Sequence, residues 1–345
     1  MWIIQFNKMK TLEKVGIVLA TYNPNLEYFQ KQIQSIKNQI HENWICHIVD
    51  DFSSIDLQES IKLIVSADPR FVCHFHNQNL NHYYNFERGL KYCIEDDSVT
   101  AISLSDQDDI WHPQKLSILL TKLRERQAVL AHSDLEMIDS KDQVINQSTW
   151  EFEGRNPEKL SIDLLLLCNV VTGCSLIFCK SIVNDILPFP EQDKIYWYHD
   201  WWIALVAAQK GRIEHIRQPL VMYRIHGLNN VGVTKDSSRL YRQVILLIKK
   251  KFKLSLNSYL VRRDFSNVFY QRFKKELDIV NWSNPFEDKN FDLGIKIIEL
   301  LYRSILSGYN AEGVALRVWL LKILFDLQRM KQILLNRYLK TTKNG

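Results

Sequence analysis

Three carboxylates crowd into four positions of the stretch Ser105-Asp106-Gln107-Asp108-Asp109-Ile110-Trp111. Ionised side by side they repel, and a folded chain keeps all three charged only with water or a cation between them. A hard divalent ion with oxygen ligands suits them; Mg²⁺ binds through one or two carboxylates plus substrate phosphates. The alternative is a solvated acidic turn, with Asp109 capping a helix that starts at Pro113. A further carboxylate, Asp200, lies among rings in Tyr196-Trp197-Tyr198-His199-Asp200-Trp201-Trp202. Low polarity raises such a group towards the pKa of a working base, whereas in the first turn of a helix its charge merely favours the dipole. The rings suit stacking on sugar C–H surfaces and suit a hydrophobic core equally. His226 sits in a polar, glycine-containing loop after a strand, either as a ligand or as a structural histidine. Gly173 interrupts the apolar run 170–178, which marks either a close approach of ligand or backbone, or a bulge.

These residues need elements that carry them to one place. Apolar runs at 15–20, 44–49, 71–75 and 99–104 have the length and β-branched content of buried strands. Between them, apolar residues recur at helical spacing: Leu26, Phe29, Ile33, Ile36 and Ile40, then Leu57, Ile61, Ile64 and Val65, then Tyr83, Phe86, Leu90 and Ile94. The alternation predicts an α/β fold, a mostly parallel sheet with helices on both faces. Polar residues follow each strand: Thr21 and Asn23, Asp50 and Asp51, Asn77 and Asn79, Asp106 and Asp108. In a parallel sheet those loops share one edge, where open α/β sheets bind ligands. Neither Gly-x-Gly-x-x-Gly nor a P-loop follows the first strand, which disfavours a dinucleotide dehydrogenase or an NTPase. Nucleotide phosphates would then need a metal bridge rather than a backbone nest. Further on, the pattern predicts a helix over 113–125, a strand over 128–132, a hairpin over 137–145 and a helix over 157–167. A strand over 170–178, a helix ending at Gly211, and short strands at 213–216 and 220–223 follow.

The 345 residues are 46% hydrophobic and 24% charged, ordinary for a globular protein and enough for two domains. Six cysteines without a Cys-x-x-Cys pair read as core residues of a reduced, cytoplasmic chain. The first ten residues are too polar for a secretory signal, and polar residues break 164–179 short of a transmembrane helix. From 235 to 275, twelve Lys/Arg stand against two Asp/Glu, a local net of +10 in a chain of net +5. Apolar residues interleave there, so the stretch either lies on an anionic membrane surface or packs as a basic helical tail. No nucleic-acid motif accompanies the charge. Helices are predicted at 295–306 and 314–339.

Seven pieces then fall in a familiar order. They are Ala20-Thr21-Tyr22-Asn23, Val49-Asp50-Asp51 with Ser53 and Ser54, Asn79 through Asn85 to Gly89, and Ser105 to Trp111. Thr172-Gly173-Cys174, His199-Asp200-Trp201-Trp202 and Tyr223-Arg224-Ile225-His226-Gly227 with Asn230 complete the set. Over about residues 13–232 the chain resembles family 2 glycosyltransferases, most closely their bacterial rhamnosyltransferase-like branch. The resemblance implies a GT-A (Rossmann-like) nucleotide-diphospho-sugar transferase domain over 1–232, with 233–345 a basic, mainly helical C-terminal extension. It implies that Thr21, Asn23 and Asp51 border the donor nucleotide. Asp106 and Asp108 would form the Asp-x-Asp element holding Mg²⁺ or Mn²⁺ and through it the donor diphosphate, with His226 assisting. Asp200 would be the catalytic base, and Gly173 and Trp201 would lie on the acceptor side. In one departure, relatives often carry a glycine near Asn81 or His82, and this chain does not.

The implied reaction inverts the anomeric centre: Asp200 takes the proton of an acceptor hydroxyl, which attacks opposite the diphosphate leaving group. The expected partners are a dTDP- or UDP-sugar, rhamnose among the candidates, and a glycan or lipid-linked acceptor of bacterial surface polysaccharide synthesis. The expected location is the cytoplasm or the inner face of the cell membrane. Two rivals are weaker. A sugar nucleotidyltransferase would carry a glycine-rich, basic phosphate loop near its start, and none is present. A non-catalytic GT-A-like module would more often have lost the acid triplet or Asp200, and both are intact.

Overall fold

The computed structural model describes residues 13–153, 155, 157–158, 160–192, 197–226, 252–280, 282 and 284. These fall into two compact units: one holds 13–162 and 169–226, the other 163–168 with the described residues from 252 onward.

In the first unit, β1 (Lys14–Thr21) is buried along most of its length, as a strand covered on both faces must be. Asn25 starts α1 (Leu26–Lys37), its side chain accepting from the N–H groups of Glu27 and Tyr28. Phe29, Ile33 and Ile36 face inward, while Ile40 lies past the helix end and is exposed. β2 (Trp44–Asp50), α2 (Ile55–Val65), β3 (Phe71–Phe75), α3 (Asn81–Glu95) and β4 (Val99–Ser105) complete the predicted alternation. These four strands pair in parallel in the order β3-β2-β1-β4.

Beyond β4 the chain runs through β5 (Ile110–Trp111), α4 (Lys115–Arg126), β6 (Ala128–Ile138), β7 (Val144–Asn146) and α5 (Thr149–Glu153). Then come α6 (Ile162–Leu167), β8 (Leu176–Cys179), α7 (Val183–Ile186), α8 (His199–Lys210) and β9 (Arg212–Arg224). The sheet continues β4-β8-β6-β9-β5, with β7 beside β6. Here β8 is antiparallel to both β4 and β6, and β5 is antiparallel to β9. The sheet is therefore mixed, parallel throughout only in its first half.

Four local expectations change. Gly173 is not inside a strand; Gly173–Ser175 form a 3₁₀ turn before β8. The helix predicted over 157–167 is confined to Ile162–Leu167. The two strands at 213–216 and 220–223 are one strand, with Pro219 near a register irregularity against β6, where its missing N–H is tolerated. The helix expected from Pro113 begins at Lys115 after Gln114, so Asp109 caps nothing.

In the second unit, α9 (Phe252–Ile279) departs from helical geometry at Phe273 and buries Phe265, Phe269, Phe273 and Leu277, one every fourth residue. Trp282 Nε1 donates to Asp163 at 3.1 Å. Residues 233–251 and the helices predicted at 295–306 and 314–339 lie outside the described residues. Among the described residues no helix is long and apolar enough to cross a membrane.

Gly89 lets α3 settle on the sheet. A Cβ there would stand 2.1 Å from Val18 Cγ1 and 3.2 Å from Val49 Cγ2, and Val18 is fully buried. Gly89→Ala is expected to cost about 1–3 kcal/mol through overpacking, read as a lower denaturation midpoint.

Candidate active site

The ends of β1 and β2 form a tightly bonded corner. Thr21 Oγ1 donates to Asp50 Oδ2 at 3.0 Å, and Asp50 also accepts from the Ser53 N–H and hydroxyl. The Asp51 N–H donates to the Thr21 carbonyl. Asp51 Oδ1 accepts from the Leu80 N–H at 2.9 Å and from Arg88 Nη1 at 3.0 Å. Burial pushes the Asp51 carboxyl up, and those two donors pull it back. Asn23 is exposed with a positive φ of 42°, its N–H on Ser53 and its carbonyl side-chain oxygen accepting from Ser54. Asn81 has φ 71°. Asparagine tolerates that left-handed conformation, which accounts for the missing glycine at this turn.

The acid stretch is stapled to the end of β9. Ile110 and Trp111 pair with Met222 and Val221. The Arg224 N–H donates to Asp109 Oδ1 at 3.1 Å, and Arg224 Nε donates to the Asp108 carbonyl at 2.8 Å. That brings His226 Nε2 to 2.7 Å from Asp108 Oδ2. Asp108 and His226 are thus together, although 118 residues separate them.

Asp106 faces differently. Its carboxyl groups with those of Asp109 and the Cys174 thiol, with ligand atoms within 4.8 Å of one another. Asp109 and Cys174 are fully or almost fully buried. Burial pushes both well up, and either would bind a metal only after losing its proton. Lys115, also fully buried, donates from Nζ to the Cys174 carbonyl at 2.7 Å and lies over the Trp111 ring. Burial holds the Lys115 amine well below the usual lysine range, against the raising influence of Cys174, Asp109 and Asp106. Asp106 keeps part of its surface open, yet burial of its carboxyl comes first in raising it to about 7, followed by the charges of Asp108 and Asp200. By donor type Asp106, Asp108 and His226 suit a hard divalent ion, but the Asp106 carboxyl groups with Asp109 and Cys174, while Asp108 pairs with His226.

Asp200 opens α8 on an Asn169–Gly173 cradle. Asn169 Nδ2 donates to Oδ1 and the Gly173 N–H donates to Oδ2, both at 3.0 Å. Burial raises Asp200 to about 6, against the pull of the Gly173 and Trp201 N–H groups and the Arg155 charge. A Cβ on Gly173 would sit 2.7 Å from His199 Nε2 and 3.5 Å from Asp200 Cβ. The glycine thus serves a close approach, that of its own chain's His199 and Asp200. His199 stacks on Phe86, and His82 stacks on Tyr198. Trp201 is partly exposed in the first turn of α8. Gly227 and Asn230 lie outside the described residues.

Comparison with known proteins joins this geometry to a lineage. The model of the glycosyl transferase family 2 matches residues 16–185, the span from β1 to α7. Residues 16–185 belong to glycosyltransferase family 2. An uncharacterized glycosyltransferase of Nostoc sp. is 25% identical over 226 residues, 63% of this chain and 66% of that one. One from Rickettsia bellii is 24% identical over 217 residues, 63% of this chain and 29% of that one. The chain thus spans less than two thirds of the length of either relative. The dTDP-rhamnosyl transferase RfbG of Shigella flexneri is 24% identical over 255 residues, 68% of this chain and 81% of that one. Among solved structures, S. aureus TarS 1-349 in complex with UDP-GlcNAc superposes with a TM-score of 0.51 at 10% identity, over 91% of this chain and 92% of that one. The shared feature is the fold, the GT-A arrangement expected from the motifs.

Sequence reasoning singled out Asp106, Asp108, Asp200 and His226 as candidates but passed over four residues bonded to this edge: Asn169, Lys115, Asp109 as a buried acid, and Arg224 as a clamp. The polarity of Asn169 within an apolar run was the available signal. Lys115 had none, because a lysine in a helix ordinarily faces water.

Two outcomes follow from this geometry. If Asp106 is a metal ligand, its deprotonation must precede binding, and Mn²⁺ affinity is then expected to rise with pH up to about 7 and level off above it, by calorimetric titration. Gly173→Ala is expected to lower turnover about 10- to 100-fold by displacing Asp200, while leaving Mn²⁺ affinity unchanged.

Proposed function

We propose that this family 2 glycosyltransferase is metal-dependent and inverting, and that it moves a sugar from a nucleoside-diphosphate donor to an acceptor hydroxyl. One observation carries the reading: the Gly173 N–H holds Asp200 while the next residue, Cys174, lies with its thiol within 4.8 Å of the Asp106 carboxyl, so the acid triplet and the candidate base are neighbours. Asp106, Asp108 and His226 would hold Mg²⁺ or Mn²⁺, whose charge offsets that gathering on the departing diphosphate. Asp200, raised to about 6, is ionised at neutral pH yet basic enough to take a hydroxyl proton in the transition state. Asn169 and the Gly173 N–H hold both of its oxygens and fix its aim. Thr21, Asn23 and Asp51 border the nucleotide. Of these, the Thr21 hydroxyl is spent on Asp50, so Thr21 shapes the corner rather than reading the base. Gly173 and Trp201 flank the acceptor.

The donor reading is a dTDP- or UDP-sugar. It is supported by the dTDP-rhamnosyl transferase among the relatives and by the UDP-GlcNAc complex of TarS. The acceptor is a glycan or lipid-linked hydroxyl. The net +10 stretch at 235–275 is the part of the chain suited to anionic lipid headgroups, which would keep the enzyme at the inner membrane face.

The test is nucleoside-diphosphate release from a set of nucleotide sugars, with and without chelator. Chelator-sensitive release is expected with at least one uridine or thymidine donor; release that ignores chelator would remove the metal from the scheme. Asp200→Asn is expected to lower transfer about 10²- to 10⁴-fold, and near wild-type transfer would remove Asp200 as base. In the wild type the rate is expected to climb as pH passes upward through about 6, because the base works only when ionised.

A further inference from the structure

We infer that Arg224 is a positioning residue that fixes Asp108 and His226 as one preassembled half of the metal site, with the β6–β7 turn built into the same device. This rests on the reading of Asp108 and His226 as ligands. Arg224 is fully buried, a costly place for a guanidinium unless its donors are spent. Nε donates to the Asp108 carbonyl at 2.8 Å. Nη1 donates to the Asp139 carbonyl at 3.0 Å and pairs with Asp142 at 2.5 Å. The backbone N–H holds Asp109 Oδ1. The guanidinium lies 4.2 Å over the ring of Tyr28. That same ring stacks on His226 at 5.9 Å, and its hydroxyl donates to the Ser140 carbonyl. Lys31 of α1 holds the other oxygen of Asp142 at 2.7 Å.

One planar side chain therefore ties together the peptide of one ligand, the strand end that carries the other, the hairpin turn and α1. A metal site gains affinity when its ligands need no ordering at the moment of binding. Lysine could reach one of these acceptors as a point donor, but it could neither fork across two carbonyls nor stack flat on Tyr28. The sequence offers a reason for the turn chemistry as well. Asp139 accepts from the Lys141 and Gln143 N–H groups, and Asp142 takes φ 63°, so the turn is preset to present Asp142 and the Asp139 carbonyl to Arg224.

The experiment measures Mn²⁺ binding to the full chain by electron paramagnetic resonance, for wild type, Arg224→Met, Arg224→Lys and Asp142→Asn. Pulsed spectra read the nitrogen coupling of a coordinated imidazole. Arg224→Met is expected to weaken Mn²⁺ binding about 10- to 100-fold and to lose the imidazole coupling. Arg224→Lys should move in the same direction, and Asp142→Asn least, since Asn keeps an acceptor. If wild type binds Mn²⁺ with imidazole coupling and both Arg224 variants do the same, Arg224 merely supports the fold and the inference falls alone. If wild type binds no Mn²⁺, or binds it without that coupling, the ligand reading of His226 falls and takes this inference with it. Should Arg224→Met fail to fold, Arg224→Lys decides by the same two signals.

Discussion

Carboxylates gathered at one sheet edge push each other apart, and most of this active-site edge can be understood as the answer to that repulsion. Asp50 is held by Ser53 and Thr21, Asp51 by the Leu80 N–H and Arg88, and Asp109 by the Arg224 N–H. Asp142 is shared by Lys31 and Arg224, and Asp200 is cradled by Asn169 and Gly173. Hydrogen bonds to ionised oxygens are the strong ones, and each acid receives them from a different part of the chain. Asp106 stands apart: burial first, then the charges of Asp108 and Asp200, raise it to about 7. Asp109 is held at one oxygen only, its Oδ2 buried without a hydrogen bond.

The two halves of the sheet divide this work by direction. Parallel pairing of β3, β2, β1 and β4 sends four successive loops to the same edge, which collects Thr21, Asn23, Asp51 and the acid triplet there. The reversed second half returns the chain to that edge from elsewhere. The 3₁₀ turn at Gly173–Ser175 feeds β8 back antiparallel to β4, and β9 ends beside β5. Gly173, Asp200 and His226 all arrive through this half. Such long-range contacts close large loops, and they are fastened by specific pairs: Lys115 to the Cys174 carbonyl, Arg224 to the Asp108 carbonyl.

Polar groups buried in this frame matter through geometry more than through net stability. Removing one partner of a buried charge costs more than the pair contributes. Arg224 and Lys115 are both fully buried, so their value lies in leaving few alternative arrangements for the loops they touch. Asparagine at Asn81 plays a backbone part usually given to glycine, and its own side chain caps the turn by accepting from the Tyr83 N–H.

Much of the fold was legible in the linear pattern. Strand and helix periodicity identified β1 to β4 and the helices between them, since burying a face imposes a period whatever the partner. The motifs likewise named Asp106, Asp108, Asp200 and His226, because reactive residue types at set spacings are local facts. Direction of the second half was not legible, since a short apolar strand reads the same parallel or antiparallel. Nor were the clamps: Arg224 in a strand and Lys115 on a helix look like solvated charges until a carbonyl far along the chain is brought against them. Residue order by itself determined which groups could do the chemistry. Only packing in three dimensions decided which donors meet which acids and how deeply each acid is buried, because the free energy of a buried charge depends on neighbours that sequence distance does not reveal.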